Sequence, residues 1–253
     1  MNNYLIIDGK SSLDFGLVIS GRGVQNSPEK RYEELDIPGR NGKLLLNSDR
    51  FFNNVQVSYE SFMYEDSPGY HSKWDHDQAF RQRALSDRLC ALRSFLGSRD
   101  GYFRLEDTYH PDEFRLAYYS EAFNPEMSQS LNLAQFTLTF TCKPQRFLKL
   151  GEETIAVTSD TTIANPTLFE AKPLIRAYGT GSFSINGVTL KITAANSYTD
   201  IDCDLMECYK GSTNCNGNVV LQNGAFPSLP SGDDVIKLSG ITKLEIIPRW
   251  WVL

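Results

Sequence analysis

The sequence predicts a mainly β protein in two parts, the first of which carries one long helix. Three observations lead to that class. Apolar and polar residues alternate over several segments, the mark of strands with one buried face. A single segment switches to a helical period. The second part is a run of short strands separated by turn signals, as in a β-sandwich or barrel.

From Phe51 to Tyr64 the chain alternates at Val55, Val57 and Tyr59. From about Asp75 to Leu96 the period changes: Leu85, Leu89, Leu92 and Leu96 form one stripe, and Arg81, Arg83, Arg88 and Arg93 lie off it. A helix over 75–96 covering a sheet follows, with Asp75 and Asp77 suited to the positive end of its dipole and Gly97 to its C-terminal stop. Gly101 to Asp107 and Phe114 to Tyr119 read as strands around Tyr109-His110-Pro111-Asp112, a turn signal. From Leu131 to Cys142 the alternation is strict, with Phe136, Leu138, Phe140 and Cys142 on one face and three threonines on the other.

After Pro144 the character shifts. Gly151, Pro166 and many threonines fill the stretch from Lys149 to Pro173, and the chain divides into an N-terminal β-rich domain, 1–147, and a C-terminal domain, 148–253. In the second, Phe183 and Ile185 precede Asn186-Gly187, and Val188, Leu190 and Ile192 follow. Asn-Gly supplies the positive φ angles of a type I′ hairpin turn. Further short strands follow at Asn196 to Leu205, Asn218 to Gln222, Asp234 to Leu238 and Ile241 to Ile247.

The 253 residues are 41% hydrophobic and 22% charged, enough apolar residues for a core, and the net charge is -6. That balance argues against a general nucleic-acid binder, which usually presents a basic face. The start, Met1 to Gly9, has no basic region and only a short apolar run, and no stretch nears the ~18 apolar residues of a membrane helix. The expectation is a protein made and kept in a cytoplasm, with no membrane partner. The five cysteines, Cys90, Cys142, Cys203, Cys208 and Cys215, are odd in number and are expected as thiols. Twelve of the fourteen arginines lie before Leu148. Arginine is enriched at interfaces, so the bias tilts an assembly surface toward the first domain.

No catalytic motif stands out. His71, His76 and His110 are the three histidines, and no HExxH, nucleophile elbow, P-loop or dinucleotide fingerprint occurs. Asp200, Asp202 and Asp204 resemble the opening of a calcium loop but lack its glycine and distal glutamate. Alternation accounts for them instead, with Ile201, Cys203 and Leu205 facing inward and the aspartates facing water. Cys203, Cys208 and Cys215 lack the paired spacing of a zinc site. No catalytic, metal or cofactor site is expected.

Five segments carry a resemblance to a known family. They are Ile37 to Gly42; Gly101 to Pro111 with Phe114 to Ala117; Phe136 to Phe147; Asn165-Pro166 leading into Lys172 to Ile175 and Asn186-Gly187; and Ile247 to Trp251. In order and spread they resemble the distal tail proteins of siphophages that infect Gram-positive bacteria, most similar to the lactococcal-phage kind. The resemblance implies a C-terminal galectin-like β-sandwich, and a six-subunit ring in the baseplate of the virion. It implies partners as well: the tail tube, the tail-tip protein with its lysin, and baseplate proteins that carry receptor-binding proteins. The short chain implies the basic form, without inserted sugar-binding modules.

Chemistry, not the family, picks the candidate subunit contacts. Pro38, Gly39, Arg40, Asn41 and Gly42 combine exposed backbone with a guanidinium. Trp250 and Trp251 face opposite sides of any strand they share, so at most one fills the local core. The competing function is a carbohydrate-binding module for the host cell wall. Against it, the C-terminal domain has no histidine, and its tryptophans sit at the very end.

Overall fold

The computed structural model describes residues 2–21, 25–46, 51–64, 76–128, 133–194 and 197–253. His71, Asp75, Leu131 and Asn196, used in the sequence reading, lie outside the described residues, as do the side chains of His76 and Asp77. The chain forms two compact units, Met1–Arg146 with Leu253, and Phe147–Val252. The mainly β class with one long helix among the described residues is what the structure has.

Unit 1 runs β1 (Leu5–Ile7), β2 (Lys10–Ser11), β3 (Leu17–Ile19), β4 (Glu34–Leu35), β5 (Leu44–Leu45) and β6 (Val55–Tyr64) into helix α1 (His76–Gly97). It continues through β7 (Phe103–Asp107), β8 (Glu113–Tyr118), β9 (Glu126–Ser128) and the long β10 (Leu133–Leu148). The main sheet is ordered β2-β1-β7-β8-β10-β6-β3, and β9 also pairs with β10. Its longest ladder is β10 with β6, in register from Leu133–Tyr64 to Cys142–Val55. The alternation of both strands puts Val57, Tyr59, Met63, Leu138 and Phe140 into one core. Leu85, Leu89, Leu92 and Leu96 of α1 enter the same core, so the helical stripe covers the sheet.

The sequence reading ends this strand near Cys142, yet β10 continues through Pro144 to Leu148. Proline lacks the amide that an inner ladder position needs. Here it sits two residues beyond the last β6 pair, Val55–Cys142.

Unit 2 contains β11 (Ile155–Val157), β12 (Thr161–Asn165), β13 (Leu174–Tyr178), β14 (Gly181–Ile185), β15 (Val188–Ile192) and β16 (Tyr198–Asp202). It ends with β17 (Glu207–Lys210), β18 (Thr213–Asn214), β19 (Val219–Leu221), β20 (Gly232–Ser239), β21 (Lys243–Ile247) and β22 (Trp251–Val252). Two antiparallel sheets, β11-β21-β13-β16-β17-β18 and β12-β20-β14-β15-β19, share one core that includes Ile175, Phe183, Leu190, Ile201, Ile236 and Ile246. This is a β-sandwich. Asn186 (φ 51°) and Gly187 (φ 82°) join β14 to β15, the two positive φ angles of the hairpin turn.

The C-terminal segment closes this core. Leu148 N–H donates to Trp250 O at 2.9 Å, and Arg249 N–H donates to Gly151 O at 2.8 Å. Backbone approaches so closely here that a Cβ on Gly151 would stand 2.4 Å from Trp250 N, which requires glycine. Trp250 is thereby buried at 3% exposure.

The aspartates of β16 correct the sequence reading: Asp200 and Asp202 are buried and do not face water, while Leu205 is exposed. Arg176 on neighbouring β13 stands directly opposite Asp200 and binds it through Nε at 2.6 Å and Nη2 at 3.0 Å. Arg249 grips Asp202 with both terminal nitrogens, at 2.8 and 2.7 Å. Backbone N–H groups of Asp204 and Leu205 also donate to Asp202. Burial opposes its ionisation, but these donors hold its carboxyl below the usual range. Two of the three carboxylates that resemble a metal loop are instead committed to guanidiniums, and the third, exposed Asp204, lies 3.8 Å from Lys172 Nζ.

Two predictions follow from unit 2. A fragment from Phe147 to Leu253 should unfold cooperatively on its own, because it has its own core and the size of an ordinary domain. A broad, non-cooperative urea transition would contradict this. The second concerns Asp234, which is buried with its Oδ2 lacking a protein partner, while Oδ1 accepts from Asn186 Nδ2 at 2.6 Å. Burial pushes its carboxyl up to about 6. The folded state therefore holds this proton more tightly than the unfolded chain, and the resulting stability is full below about pH 4 and lost as pH rises through about 6. At pH 8 the ionised group costs up to about 3 kcal/mol by linkage. Asp234→Asn should melt higher than the parent at pH 8, with the difference closing toward pH 4; equal melting temperatures at both pH values would refute it.

Candidate assembly surfaces

Residues 29–46 and 51–53 of unit 1 form a narrow ribbon. β4 pairs with β5 through Glu34–Leu45 and Leu35–Leu44. The ribbon extends through Leu46 N–H to Glu33 O at 2.8 Å and Arg31 N–H to Phe51 O at 3.0 Å. Its tip is the segment Pro38 to Gly42, exposed throughout, with Gly39 (φ 80°) and Gly42 (φ 78°) turning the chain. Arg40 N–H donates to Ile37 O at 3.2 Å, and Lys43 Nζ meets Glu34 Oε2 at 2.7 Å across the ribbon.

Strand alternation sets Leu35, Leu44 and Leu46 on one face, and Tyr32 and Leu45 with the Glu34–Lys43 pair on the other. Tyr32, Leu35, Leu45, Leu46 and Phe51 are all between 45% and 61% exposed. A two-stranded ribbon is marginally stable alone in water, and exposed apolar side chains on both of its faces make it a candidate surface for association. The tip loop is legible in the sequence, but the ribbon behind it is not. The pairs Leu35–Leu44 and Glu33–Leu46 are legible only once the register is known.

Several of the arginines behind the compositional bias serve unit 1 itself. Arg99 binds Asp8 at 2.5 Å, Arg104 binds Glu106 at 2.6 Å, and Arg146 reaches Glu113 at 3.4 Å. Arg115 is buried, and burial together with nearby Arg146 lowers its proton affinity. Around it, Tyr59 Oη donates to Asp107 Oδ2 at 2.7 Å, and His110 Nδ1 lies 3.0 Å from Asp107 Oδ1. Asp107 Oδ1 also accepts the N–H groups of Tyr109 and His110, which fixes the turn between β7 and β8. Burial and Asp107 push the Tyr59 hydroxyl well above its ordinary value, and burial pushes the Cys142 thiol up to about 11. The polar cluster thus holds a turn against the sheet and presents no thiolate or phenolate. Arg83 and Arg93 remain exposed on α1, and Arg40 on the ribbon tip.

The two C-terminal tryptophans separate. Trp250 is a core residue of unit 2, closing the sandwich as the opposite-face argument allows, and burial removes it as a surface contact. Trp251 stays partly exposed, stacks on Phe169 with ring centroids 4.4 Å apart, and donates Nε1–H to Glu170 O at 2.9 Å. Exposed Leu168 adjoins Phe169 in the chain.

No family model matches the sequence, and no curated protein matches it either. Solved structures do match the fold. The crystal structure of the SPP1 Dit (gp 19.1) protein, described as a paradigm of the hub adsorption apparatus in phages infecting Gram-positive bacteria, aligns with a TM-score of 0.71. It shares 15% identity over 97% of this chain and 98% of its own. Chains of the phage P2 baseplate in its activated conformation, with Ca and with Sr, align with TM-scores of 0.50 and 0.51. Each shares 8% identity over 97% of this chain, and over 97% and 96% of its own. The chain therefore has the fold of phage hub and baseplate proteins.

Proposed function

We propose that this chain is a structural hub protein of a phage tail, of the distal tail type, and that it works by assembly and not by catalysis. The observation that carries the reading is the fold likeness to the SPP1 hub protein, which spans both units. In this reading the protein forms a six-membered ring in the baseplate, made in the host cytoplasm and carried in the virion. The ring joins the tail tube to the tail-tip protein and supports the baseplate proteins that hold receptor-binding proteins. The galectin-like character of the unit 2 sandwich, and kinship with the lactococcal-phage kind, belong to the same proposal.

The ribbon of unit 1 is the proposed ring contact, with Pro38, Gly39, Arg40, Asn41 and Gly42 at its tip and Trp251 as a second contact. Burying a Leu or Phe side chain contributes roughly 1.5–3 kcal/mol, so the five exposed apolar residues of the ribbon supply ample drive for association. The tip adds the Arg40 guanidinium, whose planar fork suits a carboxylate on a neighbouring copy.

Light scattering across a wide concentration range tests the proposal. The parent is expected to populate particles several times the mass of one chain. The double substitution Leu35→Glu and Leu45→Glu should shift it to monomer that keeps the parent's β-sheet signal by circular dichroism, since in the single chain both side chains are about half exposed; any fall in melting temperature is then that of the lost assembly. A parent that stays monomeric at every concentration, also with a tail-tip fragment added, would sink the ring; unchanged mass in the variant would sink the ribbon as its contact.

The Phe169–Trp251 stack favours a second reading, in which unit 2 is a carbohydrate-binding module, because sugar sites use aromatic platforms. The two readings separate on binding. A ligand at a hundredfold excess over its Kd stabilises by about 2.7 kcal/mol. The hub reading expects no shift in melting temperature with millimolar galactosides, and no retention on purified host cell walls. A rise with one sugar and not its epimer would favour the module.

A further inference from the structure

We propose that Cys208 and Cys215 are a modification site: a dithiol in unit 2 that closes to an intramolecular disulfide on reaction with a low-molecular-weight disulfide such as oxidised glutathione. Both stand as thiols in the structure. β17 and β18 pair through Tyr209–Asn214 and Lys210–Thr213. One further step of the same register sets Cys208 opposite Cys215, and Cys215 N–H donates to Cys208 O at 2.8 Å. Opposed residues in an antiparallel pair have Cα atoms about 4.5–5.5 Å apart. A disulfide spans about 4.4–6.8 Å between Cα atoms, so the backbone already has the required separation.

The side chains agree. Opposed residues project to the same face of a sheet. Cys208 lies in the sandwich core and Cys215 packs at its margin. Cys208 N–H goes to Asn216 Oδ1 at 2.6 Å and not back to Cys215, so the pair is tied from one side and can adjust. Cys215 Sγ now lies 3.6 Å from Thr213 O, and rotation about its Cα–Cβ bond turns it toward Cys208. Cys203 is the rival partner. Ile201 stands opposite Cys208, which puts Cys203 on the diagonal at roughly 7–8 Å, beyond a disulfide's span.

The reaction balances as two exchanges. Cys215, the less buried thiol, loses its proton, and its thiolate attacks one sulfur of oxidised glutathione. That S–S bond breaks, one glutathione leaves, and Cys215 is held as a mixed disulfide. Cys208 then loses its proton and attacks Cys215 Sγ, expelling the second glutathione. Two protein thiols are oxidised, and one glutathione disulfide is reduced to two thiols. Burial and neighbouring Cys215 push the Cys208 thiol up to about 11, so closure is the slow step and quickens as pH rises. β18 is an edge strand of its sheet, and the bridge would staple that edge to β17. The pair stays a dithiol in a reducing cytoplasm and closes in an oxidising exterior.

The test uses the full chain with Cys90→Ser, which removes the exposed thiol of unit 1. The protein is incubated with oxidised glutathione, unfolded, alkylated and mapped by peptide mass spectrometry. The expected products are alkylated Cys142 and Cys203 and a Cys208–Cys215 linked peptide that forms faster at pH 9 than at pH 7. Adding Cys208→Ser should leave Cys215 as a stable glutathione adduct. Four alkylated cysteines, a lasting adduct on Cys215 with Cys208 intact, or a bridge to Cys203 would each overturn the proposal. None of these results depends on the hub reading, which particle mass tests separately.

Discussion

The antiparallel ladder between β10 and β6 is the constraint on which unit 1 depends. It aligns two strands from Leu133–Tyr64 to Cys142–Val55, and a one-residue slip would send every core side chain of both to the other face. Because the register holds, Leu138, Phe140, Val57 and Tyr59 share the face that α1 covers. β3 adds beyond β6 and β8 beyond β10. The Asp107 turn is locked from this ladder as well, since Tyr59 of β6 donates to its carboxylate. The ribbon enters β6 directly, so the same ladder anchors it.

Unit 2 solves a different problem. Its two sheets share an apolar core, but β16 carries aspartates on positions the sandwich buries. Each is neutralised by an arginine from another strand or loop, Asp200 by Arg176 and Asp202 by Arg249. Removing one partner of such a pair strands the other charge, which is costlier than the pair is stabilising. Arg249 also sits between Gly151, which accepts its N–H, and Trp250, which plugs the core. One short segment therefore closes the sandwich, satisfies a buried carboxylate and leaves Trp251 at the surface.

These arrangements bear on function by what they leave over. Among the titratable groups with displaced proton affinities, Tyr59, Cys142, Asp202 and Cys203 are buried, and Tyr59 and Asp202 take part in hydrogen bonds that fix turns. Apolar residues left in water include those of the ribbon of unit 1, Phe80 of α1, and Leu168, Leu205 and Met206 of unit 2. The fold that carries them is shared with phage hub and baseplate proteins.

The sequence by itself determined whatever depends on neighbours a few residues away. Alternation marked β6 and β10, the leucine stripe marked α1 to within a residue or two, and Asn186-Gly187 marked the hairpin, because strand and helix periods and turn φ angles are local properties. It also showed that Trp250 and Trp251 would part company, though not which would go inside. Tertiary structure decided the rest. Asp200 reads as a solvent-facing residue until Arg176, 24 positions away, is brought across from it, and Asp202 until Arg249, 47 positions away, reaches it. β10 passes through Pro144, beyond its last pair with β6, a continuation no local rule can see. The ribbon's leucine face and the opposed Cys208 and Cys215 likewise exist only through register, and register is set by which faces the whole fold must bury.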